Sequence, residues 1–233
     1  GALQPVAQVG RLCRKRDILF CVDAAQSAGT VPLHMGELGI DALALPAHKG
    51  LLGPQGLGAL LLTDALAGAL EPLVSGGTGS QSDLTEMPPF LPDRFEAGTL
   101  NLPGIYGLGA ALDWWEAQDG AALRRREQKL TGHLIARLRE MEPDGLRVLG
   151  PLDPEEQVGV VSVDFPGLDN AEAAFRLERE FHIQCRCGLH CAPLAHKALG
   201  TFPQGTVRFS VGPFTPFEDI DYLQAAVCAV MGV

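Results

Sequence analysis

Apolar residues along the chain follow two patterns, one typical of amphipathic helices and one typical of buried strands. Residues 5–16 carry apolar side chains at helical spacing, and residues 18–22 are continuously apolar, as expected of a parallel strand covered on both faces. Apolar runs of strand length follow at residues 42–45 and 58–62. This order predicts an open α/β sheet. A helix that feeds a parallel strand normally returns from an earlier strand, so we expect an N-terminal portion of the sheet to lie upstream of residue 1.

The second half of the chain has a different texture. Helices are predicted over residues 104–118 and 121–142, the second with a leucine-rich face. After the Pro-Asp-Gly turn at residues 143–145, short strands and helices alternate. These elements are strands at 146–149, 158–164, 183–187 and 206–211, and helices at 169–181 and 216–231. We therefore predict a large domain over residues 1–143 and a smaller C-terminal α/β domain over residues 144–233.

Composition narrows the classes of function. With 46% hydrophobic and 20% charged residues, the chain of 233 residues is not disordered. Its 18 Lys and Arg against 28 Asp and Glu give a net charge of −10, which argues against nucleic acid as a partner. No apolar run reaches the ~18 residues of a membrane helix, so we expect no membrane partner. Six cysteines are too few for a disulfide scaffold, which predicts a cytoplasmic protein with reduced thiols.

An acid and an amine follow two neighbouring predicted strands. Asp23 ends the first strand, and Lys49 follows the second. Because ligands of open α/β sheets bind beyond the carboxyl ends of the strands, we expect both side chains at one rim of a mostly apolar pocket. Burial there would weaken the ammonium form of Lys49 and let the amine attack a carbonyl, while Asp23 could keep a pyridine nitrogen protonated. Either residue alone is typical of a turn or a solvated surface, so the hypothesis depends on the pair.

Four short motifs occur along the chain in a fixed order. They are V-D-A-A-Q at 22–26, H-K with G-P-x-G-x-G at 48–58, R-F-E-A-G-T-x-N at 94–101 and R-C-G-L-H-C-A-P at 186–193. Together they resemble the class V aminotransferase family of pyridoxal-phosphate (PLP) enzymes. The last motif is similar to that of the cysteine desulfurases, in particular the branch with selenocysteine lyase-like enzymes. The resemblance implies PLP fold type I, with part of a large, mostly parallel-sheet domain joined to a smaller α/β domain.

The resemblance also implies how the cofactor would be held. Lys49 matches the catalytic lysine that carries PLP, and Asp23 the residue that pairs with its pyridine nitrogen. Gln26 matches the residue that hydrogen-bonds the ring hydroxyl, and His48 a phosphate contact. Many members have a phosphate-binding serine where this chain has Pro46, so one hydrogen bond to the phosphate must come from elsewhere.

Further matches concern the subunit arrangement and the substrate. Gly98 and Thr99 match a loop that reaches the phosphate of the neighbouring subunit, which implies a homodimer. Arg208 matches the arginine that binds the substrate carboxylate, a task for which the guanidinium fork is suited, and Arg186 a second arginine of the active site. Cys191 matches the catalytic cysteine. The family's glycine-rich phosphate loop and the histidine that stacks on the cofactor have no counterpart in this chain, which also points to a missing N-terminal portion.

Three cysteines lie close together near the predicted strand at 183–187. Cys191 follows His190 in a segment marked by Gly and Pro, where a thiol is accessible and where His and Arg neighbours favour the thiolate. Three interpretations remain open: a catalytic Cys191 with structural Cys185 and Cys187, a zinc or redox site that uses these residues and His190, and incidental thiols. The spacings differ from those of zinc sites. We predict that the other cysteines are core residues and that the other histidines lie at the surface; these are Cys13, Cys21, Cys228, His34, His133, His182 and His196.

The expected function is a PLP-dependent cysteine desulfurase. Such an enzyme removes sulfur from L-cysteine, leaving alanine and an enzyme persulfide. It then passes the sulfur to an acceptor, such as a sulfur-acceptor protein. One alternative is a selenocysteine lyase or another class V enzyme acting on a related amino acid. Another is an inactive fragment that serves as a binding module. No metal site is expected.

Overall fold

The computed structural model describes residues 1–81 and 83–233 and divides them into two compact units. Residues 5–117 form the first, called here the N-terminal unit. Residues 118–233 form the second, the C-terminal unit, together with residues 1–4. The predicted domain boundary at residue 143 lies within this second unit and stays a prediction. No helix among the described residues is long and apolar enough to cross a membrane.

Within the described residues, the N-terminal unit contains a three-stranded mixed sheet with four helices. Its strands lie in the order β1-β2-β3, with β1 parallel to β2 and β2 antiparallel to β3. A small core of Val22, Ala24, Ala28, Ile40 and Leu43 packs beneath it. In chain order the elements are α1 (Val6–Lys15), β1 (Cys21–Asp23), α2 (Met35–Leu38), β2 (Ala42–Pro46), β3 (Gly58–Leu62), α3 (Asp64–Ala69), a 3₁₀ turn (Asp93–Phe95) and α4 (Leu102–Glu116).

One prediction about the first strand is wrong in detail. We expected residues 18–22 to be covered on both faces, but Ile18 and Leu19 are 53% and 66% exposed and precede the strand. Cys21, predicted to be a core residue, is also exposed. In the described part of the chain β1 pairs with β2 alone. The apolar run therefore has the composition of an interior strand and the environment of an edge strand.

The C-terminal unit is built on a four-stranded sheet in the order β4-β5-β7-β6, antiparallel throughout. Fully buried leucines and valines of the sheet and of α5, α6 and α8 form one core, among them Leu134, Leu138, Val163 and Val207. The elements are α5 (Gly120–Arg139), a 3₁₀ turn (Glu142–Asp144), β4 (Arg147–Leu149), β5 (Val160–Asp164), α6 (Asn170–Phe181), β6 (Arg186–Gly188), α7 (Pro193–Leu199), β7 (Thr206–Ser210) and α8 (Phe217–Met231).

Polar side chains define where several helices begin. Asn101 accepts a hydrogen bond from the Gly104 N–H at the start of α4 (3.1 Å), and Asp169 accepts from the backbone of the first turn of α6. Each satisfies N–H groups that have no partner within the helix. Helix α7, absent from the sequence prediction, carries Pro193 in its first turn and ends at the left-handed Gly200, both ordinary helix boundary signals.

Candidate active site

A cleft of about 550 Å³ in the N-terminal unit brings three of the predicted cofactor residues together. Its walls include Asp23 from the end of β1 and both His48 and Lys49 from the turn after β2. Most of the remaining lining is apolar: Ala25, Ala44, Leu45, Pro46, Leu57, Ala59 and Leu60. An apolar cleft with a few convergent polar groups is the usual form of a small-molecule site. The side chain of Lys49 is exposed at this cleft rather than buried, contrary to our expectation.

The local backbone fixes the direction of Asp23. Its Oδ1 accepts a hydrogen bond from the Ala25 N–H at 2.8 Å, an Asx turn that closes the end of β1. The second carboxylate oxygen makes no hydrogen bond or ion pair that the structure records within residues 1–81 and 83–233. One oxygen therefore holds the side chain in place and the other remains available to a ligand in the cleft.

Two glycines set the turn after β1 against the turn after β2. A Cβ added to Gly29 would lie 2.3 Å from the Gly50 oxygen, and one added to Gly50 would lie 2.3 Å from the Ala28 oxygen. Both distances are far shorter than a normal contact, so this approach requires glycine at both positions. Since Gly50 directly follows Lys49, the contact places the lysine turn beside the turn that follows Asp23.

Three other predicted cofactor residues lie outside the lining of this cleft. Gln26 is exposed and follows Ala25, which does line it. Gly98 has φ +91° and donates its N–H to the Gly77 oxygen at 2.8 Å, and the adjacent Thr99 is exposed. The predicted role of Gly98 and Thr99 concerns a neighbouring subunit, so it stays a prediction, as does that of Gln26.

The C-terminal unit places Arg186 and Arg208 directly opposite each other. Arg186 lies on β6 and Arg208 on β7, and the two are paired in the antiparallel register, so their side chains leave the same face of the sheet. Among the described residues neither makes an ion pair with a carboxylate, and the Nε of Arg208 is buried without a hydrogen-bond partner. Two like charges opposite each other repel, so an anion bound between them would be stabilised.

Cys191 lies beside this arginine pair, in a turn with unusual backbone geometry. His190 and Cys191 both have positive φ values, +48° and +62°, a conformation that residues with a side chain adopt at an energetic cost and that occurs often at functional sites. The thiol is exposed. His190 fastens the turn to β7 through its Nε2, which lies 3.1 Å from the Thr206 carbonyl oxygen.

The positive charge near Cys191 comes from the arginines. Burial, and then the charge of Arg208, lower the pKa of His190, so its ring is neutral at neutral pH. Because a carbonyl oxygen only accepts, Nε2 carries the ring proton and Nδ1 is unprotonated. Burial and then Arg186 lower the pKa of Arg208, while the Cys191 thiolate acts in the opposite direction; arginine nevertheless stays charged. His190 therefore adds no positive charge near the thiol, and the expectation that it favours the thiolate stays a prediction.

The neighbouring cysteines have a different character. Burial raises the pKa of Cys185 to about 11, and this side chain packs partly against the core, which fits a structural thiol. Cys187 is exposed. No cluster of three or more His, Cys, Asp or Glu side chains in residues 1–81 and 83–233 is arranged to hold a metal ion, so the zinc interpretation gains no support.

His196 was missed by the sequence analysis, which placed it at the surface. It is 6% exposed on α7, and its Nδ1 lies 2.8 Å from the Thr201 hydroxyl. The ring centroids of His196 and His190 are 5.9 Å apart. The sequence did contain a signal for the burial of His196. Pro193 and Gly200 mark the two ends of a short helix, and His196 lies on this helix, which packs behind the Cys191 turn.

Comparisons with known proteins agree on one family. The family model described as aminotransferase class V matches residues 1–223. A probable cysteine desulfurase of Methanothermobacter thermautotrophicus is 35% identical over 237 residues, which cover 100% of this chain and 58% of the relative. A cysteine desulfurase structure from Thermococcus onnurineus is 32% identical, with a TM-score of 0.89, and the match covers the whole of this chain and 57% of that structure. A cysteine desulfurase structure from Escherichia coli is 26% identical, with a TM-score of 0.83, and the match covers the whole of this chain and 56% of that structure. The chain thus spans about half the length of the relatives it matches.

Proposed function

Since this chain belongs to the class V aminotransferase family, we propose that it acts as a PLP-dependent cysteine desulfurase. One observation carries the proposal: Asp23, His48 and Lys49 line a single apolar cleft. The similarity to named cysteine desulfurases supports the choice of reaction. Six free cysteines are in keeping with a cytoplasmic protein, which we propose as its location.

The residues of the cleft fit pyridoxal phosphate. The cleft offers apolar walls for an aromatic ring and an amine for its aldehyde. The unpartnered oxygen of Asp23 can accept a hydrogen bond from a protonated pyridine nitrogen, and His48 can donate one to a phosphate. When bound, pyridoxal phosphate supplies an electron sink that acidifies the Cα–H bond of an amino acid. We propose that the Gly98–Thr99 loop contributes to the same phosphate in a homodimer.

In the proposed reaction the other residues bind the substrate and move protons and sulfur. Arg208, with Arg186 opposite, binds the carboxylate of L-cysteine through charge-assisted hydrogen bonds. The amine of Lys49 takes the Cα proton and returns it. The Cys191 thiolate attacks the substrate sulfur, forming an S–S bond while the Cβ–S bond breaks. The carbon skeleton is then protonated to alanine, and Cys191 carries the sulfur as a persulfide until an acceptor, which we propose to be a thiol of a partner protein, removes it.

A reductive labelling experiment tests the cofactor site. Borohydride treatment in the presence of PLP, followed by peptide mass spectrometry, is expected to attach the pyridoxyl group to Lys49. Lys49→Ala should abolish labelling, whereas Lys129→Ala, a change of an exposed lysine on α5, should leave it intact. Labelling spread evenly over surface lysines would contradict the assignment. In protein loaded with PLP, Cys191→Ser should lose persulfide formation from L-cysteine while Lys49 is still labelled, and retained persulfide would exclude Cys191 as the nucleophile.

A further inference from the structure

We propose that His196 and Thr201 are positioning residues for Cys191. Their buried side chains form a clasp that holds the Cys191 turn, residues 189–192, in the geometry from which the thiol attacks sulfur. The inference deepens the proposed function and rests on it for the role of Cys191 as the nucleophile. The contacts that carry it all lie within the C-terminal unit.

The Cys191 turn has a backbone that needs support from its surroundings. It is closed by the Ala192 N–H, which donates to the Leu189 carbonyl oxygen at 2.8 Å. The two residues between them, His190 and Cys191, both have positive φ values, +48° and +62°. Residues with a side chain keep such a conformation only where the surrounding structure fixes it firmly. The attachments on the two sides of the turn therefore determine where the thiol lies.

The turn has one attachment on each side of Cys191. Before the cysteine, the Nε2 of His190 lies 3.1 Å from the carbonyl oxygen of Thr206 on β7. After the cysteine, helix α7 begins directly from the turn, since the His196 N–H donates to the Ala192 carbonyl oxygen at 3.2 Å. A turn that is fixed at one end only can pivot, so the position of the thiol also depends on what holds α7.

His196 and Thr201 hold α7 in place. The two residues are 6% and 5% exposed, and the Nδ1 of His196 lies 2.8 Å from the Thr201 hydroxyl oxygen. The Thr201 carbonyl oxygen accepts a hydrogen bond from the Gly205 N–H at 2.7 Å. The Gly205 carbonyl oxygen in turn accepts one from the side chain of the buried Asn170 at 3.1 Å. The clasp thus ties α7 to the segment that leads into β7, the same strand that holds His190.

The two attachments meet behind the thiol. The ring of His196 lies against that of His190, with 5.9 Å between the ring centroids. Loss of the Thr201 hydroxyl would remove the partner of a buried ring nitrogen, which costs free energy and favours a different position of the His196 ring. The neighbouring His190 ring and the start of α7 would then lose their support together.

Hydrogen exchange followed by mass spectrometry tests the clasp without PLP. Thr201→Val removes the hydroxyl and keeps the branched shape, and it is expected to speed exchange of the amides in residues 189–197 about tenfold. Thr201→Ser keeps the hydroxyl and should exchange as the unchanged protein does. The matched control is Thr131→Val, because Thr131 is also buried, at 1% exposed, and its hydroxyl donates within α5 to the Glu127 carbonyl oxygen. This control should leave exchange in residues 189–197 unaltered.

A kinetic measurement separates positioning from a merely structural role. In protein loaded with PLP, Thr201→Val should lower kcat for persulfide formation from L-cysteine about tenfold and leave KM unchanged, because a displaced nucleophile weakens the chemical step and not the binding of the amino acid. Thr201→Ser should restore kcat. Circular dichroism verifies that equal amounts of folded protein are compared.

Two outcomes would overturn the proposal. One is unchanged exchange of residues 189–197 in Thr201→Val; if this variant does not fold, His196→Phe, which keeps a ring without Nδ1, is measured in the same way. The other is faster exchange with an unchanged kcat, which would leave the pair a structural role only. Failure of the proposed function has a different signature, namely no persulfide in the unchanged protein, or persulfide retained in Cys191→Ser, and it would not alter the exchange result.

Discussion

The attachment of β6 to β7 depends on a close backbone approach at Gly205, and Gly205→Ala tests it. A Cβ at residue 205 would lie 2.1 Å from the oxygen and 2.6 Å from the Cα of Gly188. Reaching the 3.4 Å of ordinary contact requires a shift of about 1.3 Å. Strand β6 is paired to β7 through three residues only, with Gly188 opposite Thr206. It cannot move that far and keep its terminal hydrogen bonds.

The expected magnitude has two parts. Gly205 has φ +77°, and an alanine in the left-handed region costs about 1 kcal/mol after the entropy of the unfolded chain is considered. Loss of about two ladder hydrogen bonds adds about 2 kcal/mol. The matched control is Gly200→Ala: Gly200 has φ +72° with no atom within 4 Å of the added Cβ, so it carries the conformational cost without the clash. We expect a loss of about 3 kcal/mol for the first variant and about 1 kcal/mol for the second.

Urea unfolding followed by circular dichroism measures both variants, with the free energy of unfolding extrapolated to water. Gly188 lies three residues before Cys191, so Gly205→Ala should also change the rate at which iodoacetamide labels Cys191, and Gly200→Ala should not. Equal losses of stability in the two variants, with equal labelling rates, would show that β6 tolerates the displacement and would refute the reasoning.

Two further predictions concern the other turn and the other thiols. Gly50→Ala should weaken PLP binding at least about tenfold, because its Cβ would meet the Ala28 oxygen at 2.3 Å and push the lysine turn away. The control Gly68→Ala, which has open space around the added Cβ, should bind PLP normally. Equal PLP affinities of the two variants in a spectroscopic titration would contradict this prediction. Burial raises the pKa of Cys185 to about 11, from an ordinary thiol pKa of 9.0. At pH 8 the thiolate fraction of Cys185 should therefore be about a hundredfold below that of an ordinary thiol. Rapid iodoacetamide labelling of Cys185 would contradict its burial.

The sequence predicts most of the site because its residues follow regular elements. Asp23 and Lys49 come directly after apolar runs of strand length, and the rule that ligands lie beyond strand ends brings them together. Their meeting in one cleft follows from β1 and β2 being parallel neighbours. The antiparallel β3 was not foreseen, since its apolar run gives no information about direction. Exposure of Lys49 was missed because it depends on what covers the cleft, which a local pattern does not encode.

The C-terminal half of the chain shows a second limit of prediction from sequence. The register that sets Arg186 opposite Arg208 depends on pairing between strands about twenty residues apart, and neither strand's own sequence specifies it. The neutral His190 likewise results from burial and two arginines brought near by that register. The position of His190 next to Cys191 in the sequence suggested that the imidazole supplies positive charge near the thiol. The tertiary arrangement leaves that charge to the arginines instead.

The crossing of the turns at Gly29 and Gly50 has a consequence for how the cleft tolerates variation. Main-chain atoms meet there without an intervening side chain, so the spacing between the acid and the amine is fixed by the polypeptide itself. Exchanges among the surrounding aliphatic residues can then alter volume and shape without retuning that spacing. Designers who wish to reshape the binding specificity of this cleft could randomise its apolar walls freely, provided that both crossing points remain without a side chain.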